Sequence, residues 1–435
     1  MTLGKKTFSL YLAAILVAVF YSIGAQRISV AQLEPIGQLC DPRAGVKLRS
    51  EAIIDSHINS PKSINFSPDG KKIYINALEG LETLVYSFPK LELLKAIKHT
   101  FGPAEAGLFK NGETTLFDYQ YYHQIPADKL NFFSGKPVEG IFSHNGRYFW
   151  VPYYRRDYDK NASDPSAMAI IDTTEDKIVR VMPTGPLPKM VAASPDGRYL
   201  AVTHWGDNTV GLIDVSSNEP MDFSYVAHLI DSPKLNTKNI SGNRDNNCGR
   251  CLRGTVFTPD GHLLLVGRMA GQGVVVFSIP EGQRIGAFTS FSPTPRHLAL
   301  DKVKGWLYAS DSRRGVVVRV ILAEVLKSLK NAGGGDVAGP KGQMVNVGTM
   351  PRTIALSSDG KRLFASVFRS SALVEVNTDS FTVRDSVEVS PHPVGLGLSP
   401  DGRYVAVTSQ GALNKGAKPP SYSGGNSVEF FRLKD

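Results

Sequence analysis

Two of the three cysteines lie close together in the stretch CGRCLR, at Cys248 and Cys251. The spacing suits a redox pair, half of a zinc site or a short disulfide. A thioredoxin-type pair needs a βαβ setting and a helix N-terminus, and the surrounding sequence indicates neither. A zinc site needs two more ligands, for which only Cys40 and His204 are conceivable. We therefore expect a disulfide that clasps a long polar loop, with redox, metal-binding and free-thiol roles as the alternatives.

Histidines supply the other candidate reactive groups. His297 and His392 each lie beside the start of a repeated unit, where either could act as a general base. His204 and Asp207 in the stretch HWGDN could bind a metal, but two ligands on one turn fall short of a site. The sequence has no CxxCH haem attachment, no phosphate-binding Gly loop and no Gly-x-Ser-x-Gly elbow. We predict no metal and no cofactor.

The composition is typical of a globular chain with many turns. Of its 435 residues, 42% are hydrophobic and 20% are charged, and it contains 41 Gly and 27 Pro. This profile favours an all-β domain with short strands. The formal net charge of +9 favours anionic partners such as phosphates, carboxylated ligands or acidic polymers.

The N-terminal residues have the pattern of a secretory signal. Lys5 and Lys6 precede the apolar run 8–25. Ser29-Val30-Ala31 has small residues at the two positions that a signal peptidase recognises. We predict a signal peptide or signal anchor over 1–31. The apolar run could also remain as a membrane anchor if the bilayer thins around it. The protein is then expected to be periplasmic or extracellular, with no nucleic-acid partner and with membrane contact only through residues 8–25.

The remainder of the chain is divided into a predicted linker, 32–46, and a single predicted domain, 47–435. Within the domain, each repeated unit begins with Pro or Leu, continues with apolar or small residues, and usually reaches an Asp-Gly or Asn-Gly turn. Such turns between apolar runs predict hairpins, because Gly and Asn tolerate positive φ. The units start at positions 61, 137, 188, 252, 295, 351 and 393.

Four strands in each unit predict an all-β fold, a β-propeller with seven four-stranded antiparallel blades. The stretch PAEAGLFKNGETTLFDYQ at 103 could be an eighth blade, but we interpret it as an insertion. The last unit supplies only three strands. The segment 46–58 is expected to complete it as the fourth strand and so to close the ring.

The stretches SPDGRYLAVTHWGDNTVGLIDVSS and DKIVRVMPTGPLPKM resemble the YVTN-type, YncE-like propeller repeats of exported bacterial proteins. The resemblance covers nearly all of residues 47–435, and it implies the propeller fold and export. It is weak for function, because relatives of this kind include surface-layer and periplasmic binding propellers, lactonases and the haem-binding domain of a nitrite reductase.

Strand order predicts which side chains meet at the mouth of the propeller channel. The residue after each leading Pro or Leu should lie where the innermost strands begin, on what we call the top face. Five of these seven residues are cationic, namely Lys62, Lys189, Arg253, Arg296 and Arg352, whereas Val138 and Val394 occupy the other two positions. We call the five the cation ring. Like charges brought together around a ring repel one another, so a sequence with no use for them could avoid the arrangement. We therefore interpret the ring as an anion site with bidentate arginine donors. The alternative is a set of solvated cations.

Loops between the second and third strands of the blades should add residues to the same face. The further candidate ligand-binding residues are Tyr153, Arg155, Arg156, His204 and Trp205, although packing would also explain Tyr153 and Trp205. We therefore predict a monomeric, non-enzymatic exported protein that binds an anionic small molecule, a glycan or a protein. The alternative is a hydrolase or lyase of lactonase type, in which His297 or His392 is the base and a ring arginine stabilises an oxyanion.

Overall fold

The structure, a computed structural model, describes residues 32–113, 126, 129–235, 242–414 and 421–434. Seven separate sheets follow one another around a ring, which confirms the predicted β-propeller. The innermost strands of neighbouring blades contact one another around the centre. The expected signal or anchor over 1–31 lies outside the described residues. Within those residues, no helix has the length and apolar character needed to cross a membrane.

The first three blades take up the first half of the chain. Blade 1 contains Pro61–Phe66, Lys72–Ala77, Glu82–Ser87 and Leu93–Lys98. Blade 2 contains Thr100–Phe101, Phe133–Pro137, Ile141–Ser143, Tyr148–Arg156, Pro165–Asp172 and Lys177–Pro186. Blade 3 contains Pro188–Ala193, Tyr199–His204, Thr209–Asp214 and Ser224–Ile230.

The last four blades follow in chain order. Blade 4 contains Leu252–Phe257, Leu263–Arg268, Val274–Ser278 and Arg284–Phe288, with Asp336–Val337 added in parallel at its outer edge. Blade 5 contains Pro295–Leu300, Trp306–Asp311, Val316–Ile321 and Gln343–Asn346. Blade 6 contains Pro351–Leu356, Arg362–Val367, Ala372–Asn377 and Thr382–Glu388. Blade 7 contains Pro393–Leu398, Tyr404–Asn414, Ser421–Leu433, Leu33–Cys40 and Ala52–Ile54.

Continuous apolar runs form these strands because both faces of a blade are buried. Successive side chains of a strand point to opposite faces of the sheet. In blade 4, Val275 and Phe277 pack against blade 3, whereas Val274 and Val276 pack against blade 5. The hydrophobic core is therefore divided among the blade interfaces. The helix Leu322–Leu329, inserted before the outer strand of blade 5, also packs into the interface of blades 4 and 5.

The Ser-Pro-Asp-Gly signature forms a hydrogen-bonded turn at the opposite end of the innermost strand. In blade 1, Ser67 Oγ donates to Asp69 Oδ1 at 2.6 Å and accepts from the Lys72 N–H at 2.9 Å. Asp69 also accepts from the Lys71 N–H. These bonds lower the pKa of Asp69, the Ser67 hydroxyl contributing most. The turns at Asp196, Asp260, Asp359 and Asp401 repeat the arrangement.

Ring closure by an N-terminal strand is confirmed, but the predicted segment was wrong. The fourth strand of blade 7 is Leu33–Cys40, inside the predicted linker, and it pairs antiparallel with Ser421–Leu433. The segment 46–58 supplies only the short fifth strand Ala52–Ile54, which pairs in parallel outside it. Pro35 and Gly37 explain the error, since both residues weaken a strand pattern and a bulge accommodates them.

The eighth candidate unit does not form a blade in the residues that are described. Pro103–Leu108 is a short 3-10 helix between blades 1 and 2, and Phe109 forms an isolated bridge with Val181. Most of the remaining residues of this stretch, from 114 onward, lie outside the described ranges. The prediction of an insertion rather than a blade is therefore supported by the seven-sheet ring.

Candidate functional site

Each residue of the cation ring lies at a β-bulge in an innermost strand. The pairing register shifts at Pro61/Ser63, Pro188/Met190, Leu252/Thr255, Pro295/Leu298 and Pro351/Ile354. A bulge leaves its extra residue out of the ladder and turns that side chain away from the sheet face. The repeated bulge is the reason that one position per blade points at the mouth. Blade 7 has the same bulge at Val394.

Hydroxyl groups hold several of these bulges and connect them to the preceding blade. Ser310 Oγ accepts from the His297 N–H at 3.1 Å and donates to the carbonyl of Arg352 in blade 6 at 2.6 Å. Thr353 Oγ1 similarly donates to the Val394 carbonyl at 2.7 Å. Corresponding bonds hold the carbonyls of Val138, Arg253 and Lys62. The backbone carbonyls of three ring residues, Lys62, Arg253 and Arg352, are therefore held by the preceding blade.

The five cations of the ring line one cavity on the top face, as the sequence predicts. The cavity has a volume of about 440 Å³. Lys136 and Arg155 also line it, together with the aromatic residues Tyr154 and Trp205. Among the described residues, two carboxylates, Glu79 and Asp245, belong to the same lining. Seven cationic side chains thus face two acidic ones, and we call this space the mouth cavity.

On one side of the mouth cavity, ion pairs compensate the cations. Lys189 Nζ contacts Asp245 Oδ1 at 2.8 Å and lies 4.2 Å from the centre of the Tyr154 ring. Arg253 donates to Glu139 Oε1 at 3.2 Å. These contacts belong to blades 2, 3 and 4. Burial nevertheless lowers the pKa of Lys189 to about 8, with repulsion from Arg253 contributing.

On the other side, formed by blades 5, 6, 7 and 1, the cations of the ring have no ion pair among the described residues, and Glu139 and Asp245 attract them only from beyond ion-pair distance. Arg296 Nη1 lies 3.9 Å from the sulfur of Met269, and Arg352 lies over the Phe368 ring at 4.0 Å. Lys62 Nζ donates to the amide oxygen of Gln410 at 3.3 Å. Within the described ranges, none of these three cations has a carboxylate partner. We call Arg296, Arg352 and Lys62 the uncompensated arc.

The pKa values of the two arginines of the arc are lowered, because burial and repulsion both disfavour their charged forms. Burial lowers the pKa of Arg352 to about 10, and repulsion from Arg253 adds to the effect. The pKa of Arg296 also falls well below its usual value, because of burial and the neighbouring guanidinium groups. A bound anion would relieve both the desolvation and the repulsion.

Trp205 and Arg155 line the mouth cavity, but Tyr153, Arg156 and His204 do not. Tyr153 is buried and bonds to His99 Nδ1 at 2.9 Å. Arg156 lies over the Phe133 ring at 4.5 Å. His204 is also buried, with Nδ1 2.8 Å from Thr209 Oγ1 and Nε2 accepting from the Gly185 N–H. These three side chains stabilise the fold rather than the site.

The two candidate bases also lie outside the lining of the mouth cavity. His297 follows Arg296 in the bulge of blade 5, and burial lowers its pKa to about 3, with repulsion from Arg253 and Arg296 contributing. His392 is stacked on Phe368, with ring centres 4.6 Å apart. Neither imidazole has a carboxylate partner among the described residues. No acid–base pair therefore supports their predicted catalytic roles.

The CGRC stretch forms the expected disulfide between Cys248 and Cys251. The turn that it closes leads directly into Arg253, and the Met269 N–H donates to the Cys251 carbonyl. It therefore joins the polar loop to blade 4 beside the cation ring. Cys40 is a buried free thiol, and burial together with Asp41 and Glu429 raises its pKa to about 11. Such a thiol is a poor nucleophile at neutral pH.

Sequence reasoning missed Asp245 and Gln410, and it placed Tyr154 on the top face without including it among the candidate ligand-binding residues. Successive side chains of a strand point to opposite faces, and Tyr153 shares a sheet face and a core cluster with Val151. Strand alternation could therefore have identified Tyr154, which lies on the opposite face from Tyr153. Asp245 belongs to a polar loop and Gln410 to a long hairpin, so no periodic signal marks either residue. Asp245 organises one wall, because it contacts Lys189 and its carbonyl accepts from Trp205 Nε1 at 3.2 Å.

Comparisons with known structures support the fold. The hydrazine synthase of Kuenenia stuttgartiensis aligns with a TM-score of 0.55 at 14% identity, over 83% of this chain and 96% of that chain. A chain in a crystal structure of the mitotic checkpoint complex aligns with a TM-score of 0.57 at 13% identity, over 95% of this chain and 94% of that chain. The Cps50 (Swd1) β-propeller domain of Myceliophteria thermophila aligns with a TM-score of 0.58 at 12% identity, over 86% of this chain and 98% of that chain. No family model and no curated protein sequence matches the chain. At such low identities the likeness shows the propeller fold alone.

We expect Ser310→Ala to destabilise the propeller, because the change removes both hydrogen bonds of a fully buried hydroxyl and leaves the Arg352 carbonyl without that donor. The free energy of unfolding should fall by about 1–3 kcal/mol, measured by urea denaturation. Ser386→Ala on an exposed outer strand is the control and should change it by less than about 0.5 kcal/mol. Equal effects of the two substitutions would contradict the bridging role of Ser310.

Proposed function

We propose that this chain is a non-enzymatic binding protein that holds a small anion in the mouth cavity. The observation that carries the proposal is the uncompensated arc, in which Arg296 and Arg352 lie on adjacent blades without carboxylate partners among the described residues. A guanidinium offers paired N–H donors that match carboxylate and phosphate oxygens. A carboxylate or phosphate between the two arginines would supply the missing negative charge.

The size of the mouth cavity favours a small molecule over a polymer. Its volume of about 440 Å³ lies within the usual range of small-molecule pockets. Tyr154 and Trp205 provide flat apolar surface on the compensated side, where the body of a ligand could lie. The preferred ligand is therefore a small carboxylate or phosphate compound, rather than a glycan chain or a protein. Neither His297 nor His392 lines this cavity, so the lactonase-type alternative lacks a positioned base.

We further infer that the protein is exported and related to the YVTN-type propellers. The basic and apolar N-terminal pattern supports export, and the repeated Ser-Pro-Asp-Gly turns support the relationship. A disulfide between Cys248 and Cys251 is consistent with an oxidising compartment.

Calorimetric titration of the purified chain with succinate, citrate and phosphate tests the anion site. We expect at least one of these anions to bind, and Arg296→Gln and Arg352→Gln each to weaken binding about tenfold or more, because a charge-assisted bond contributes about 1.5–3 kcal/mol. Arg403→Gln removes the same charge from an exposed hairpin turn on the opposite face and should leave binding unchanged. Binding that all three substitutions weaken equally, or no binding at all, would refute the proposed site.

Anion affinity should fall as the pH rises from 7 to 9. The pKa of Lys189 is about 8, so its ammonium group is mostly charged at pH 7 and mostly neutral at pH 9, where Asp245 adds an unpaired negative charge to the lining. Titrations with succinate, whose own charge is constant in this range, would measure the change. Lys189→Met should bind more weakly at pH 7 and show a flatter pH profile. An affinity that is constant with pH, or a slope that Lys189→Met retains in full, would contradict this role.

A further inference from the structure

Lys62 differs from the other two lysines of the mouth cavity in its partner. Lys136 contacts Glu79 at 2.7 Å, and Lys189 contacts Asp245 at 2.8 Å. Lys62 Nζ instead donates to the neutral amide of Gln410 at 3.3 Å. No carboxylate lies within ion-pair distance of Lys62 in the part of the chain that the structure describes. Its amine is therefore the one whose charge is least supported by its surroundings.

The groups that face Lys62 come from several blades, and most of them are cationic. Arg253, Arg296 and Arg352 repel a charge on its amine, whereas Glu139 attracts one. Glu139 already accepts a hydrogen bond from Arg253. Burial and the three guanidinium groups together hold the pKa of Lys62 well below its usual value. A half-buried lysine among other cations loses its proton more readily than a free lysine, and the neutral amine is the nucleophilic form.

We propose that Lys62 captures the carbonyl carbon of a small oxo acid as an imine, while Arg296 and Arg352 hold the carboxylate of the same molecule. The inference rests on the proposed anion site and narrows its ligand to a carboxylate with a neighbouring aldehyde or ketone. Two observations support the geometry. The three side chains line one cavity, and the Gln410 amide oxygen accepts a hydrogen bond from the amine and so orients it.

The reaction needs no oxidant, reductant or metal. The lone pair of the Lys62 amine forms a C–N bond, and the electron pair of the carbonyl bond moves to oxygen, which takes up a proton while nitrogen releases one. Loss of the resulting hydroxyl group as water gives the C=N bond. The balance is amine plus carbonyl compound giving imine plus water. The protonated imine carries a positive charge, which the carboxylate of the captured molecule balances.

Reductive trapping tests the proposal directly. The full chain is incubated at neutral pH with pyruvate and sodium cyanoborohydride, and labelled lysines are located by peptide mass spectrometry. We expect Lys62 to be labelled at least tenfold more than any other lysine, and excess succinate, which has no ketone, to suppress this labelling. Lys62→Arg should lose the labelled site, whereas Lys177→Arg, at an exposed position outside the mouth cavity, should retain labelling at Lys62. Uniform labelling of the lysines would overturn the proposal.

The outcomes separate this proposal from the anion site itself. If succinate binds with the expected dependence on Arg296 and Arg352 while Lys62 remains unlabelled, the imine proposal fails and the anion site stands. If succinate does not bind and Lys62 is unlabelled, both fail. If Lys62 is labelled equally well in Arg296→Gln and Arg352→Gln, the arginines do not hold the carboxylate, and the proposal is overturned in the form given. Competition by succinate in the unmodified chain requires no variant, so a folding defect cannot mimic the result.

Discussion

The hydrogen bond between a strand hydroxyl and the bulged residue of the next blade is the constraint on which the site depends. Ser310 illustrates it, because one oxygen accepts from the bulge of its own blade and donates to the Arg352 carbonyl of blade 6. Without a bulge, the ring residue would alternate into a blade interface like its neighbours. Without the bridge, a buried carbonyl at the centre of the ring would have no partner. The bulge and the bridging hydrogen bond together direct the side chains of the ring positions toward the mouth cavity.

This arrangement brings like charges together at a cost in stability. A chain that placed apolar residues at these positions, as it does at Val138 and Val394, would avoid both the desolvation and the repulsion. The protein compensates part of the cost with Asp245 and Glu139 on one side of the cavity. It leaves the other side without carboxylates among the described residues. Such an asymmetric arrangement is difficult to explain by surface solubility and is the expected form of a preorganised anion site.

The sequence predicted the blades and the ring residues because both depend on local, repeated signals. Asp-Gly turns recur at one end of five of the seven innermost strands, and in five of the seven units a cation follows the leading Pro or Leu at the other end. The prediction of the closing strand was wrong because Pro35 and Gly37 interrupt the strand pattern of Leu33–Cys40. This strand is defined by its pairing with residues almost four hundred positions away, which no local signal reveals. The same limit applies to the walls of the cavity. Asp245 reaches the site from a long irregular loop and Gln410 from a bulge in the strand Tyr404–Asn414. Tyr153 and His204 were named as candidate ligand-binding residues although tertiary packing buries them.

The most direct test of the anion site is to locate an anion in crystals of the protein. Crystals soaked in low millimolar selenate, with diffraction data collected at the selenium absorption edge, would reveal bound selenate as an anomalous difference peak. We predict a peak at the mouth cavity, within hydrogen-bond distance of the guanidinium groups of both Arg296 and Arg352, and we expect added succinate to displace it. Selenate bound only at exposed lysines or at the hairpin turns of the opposite face, with the space between these two arginines empty, would contradict this prediction.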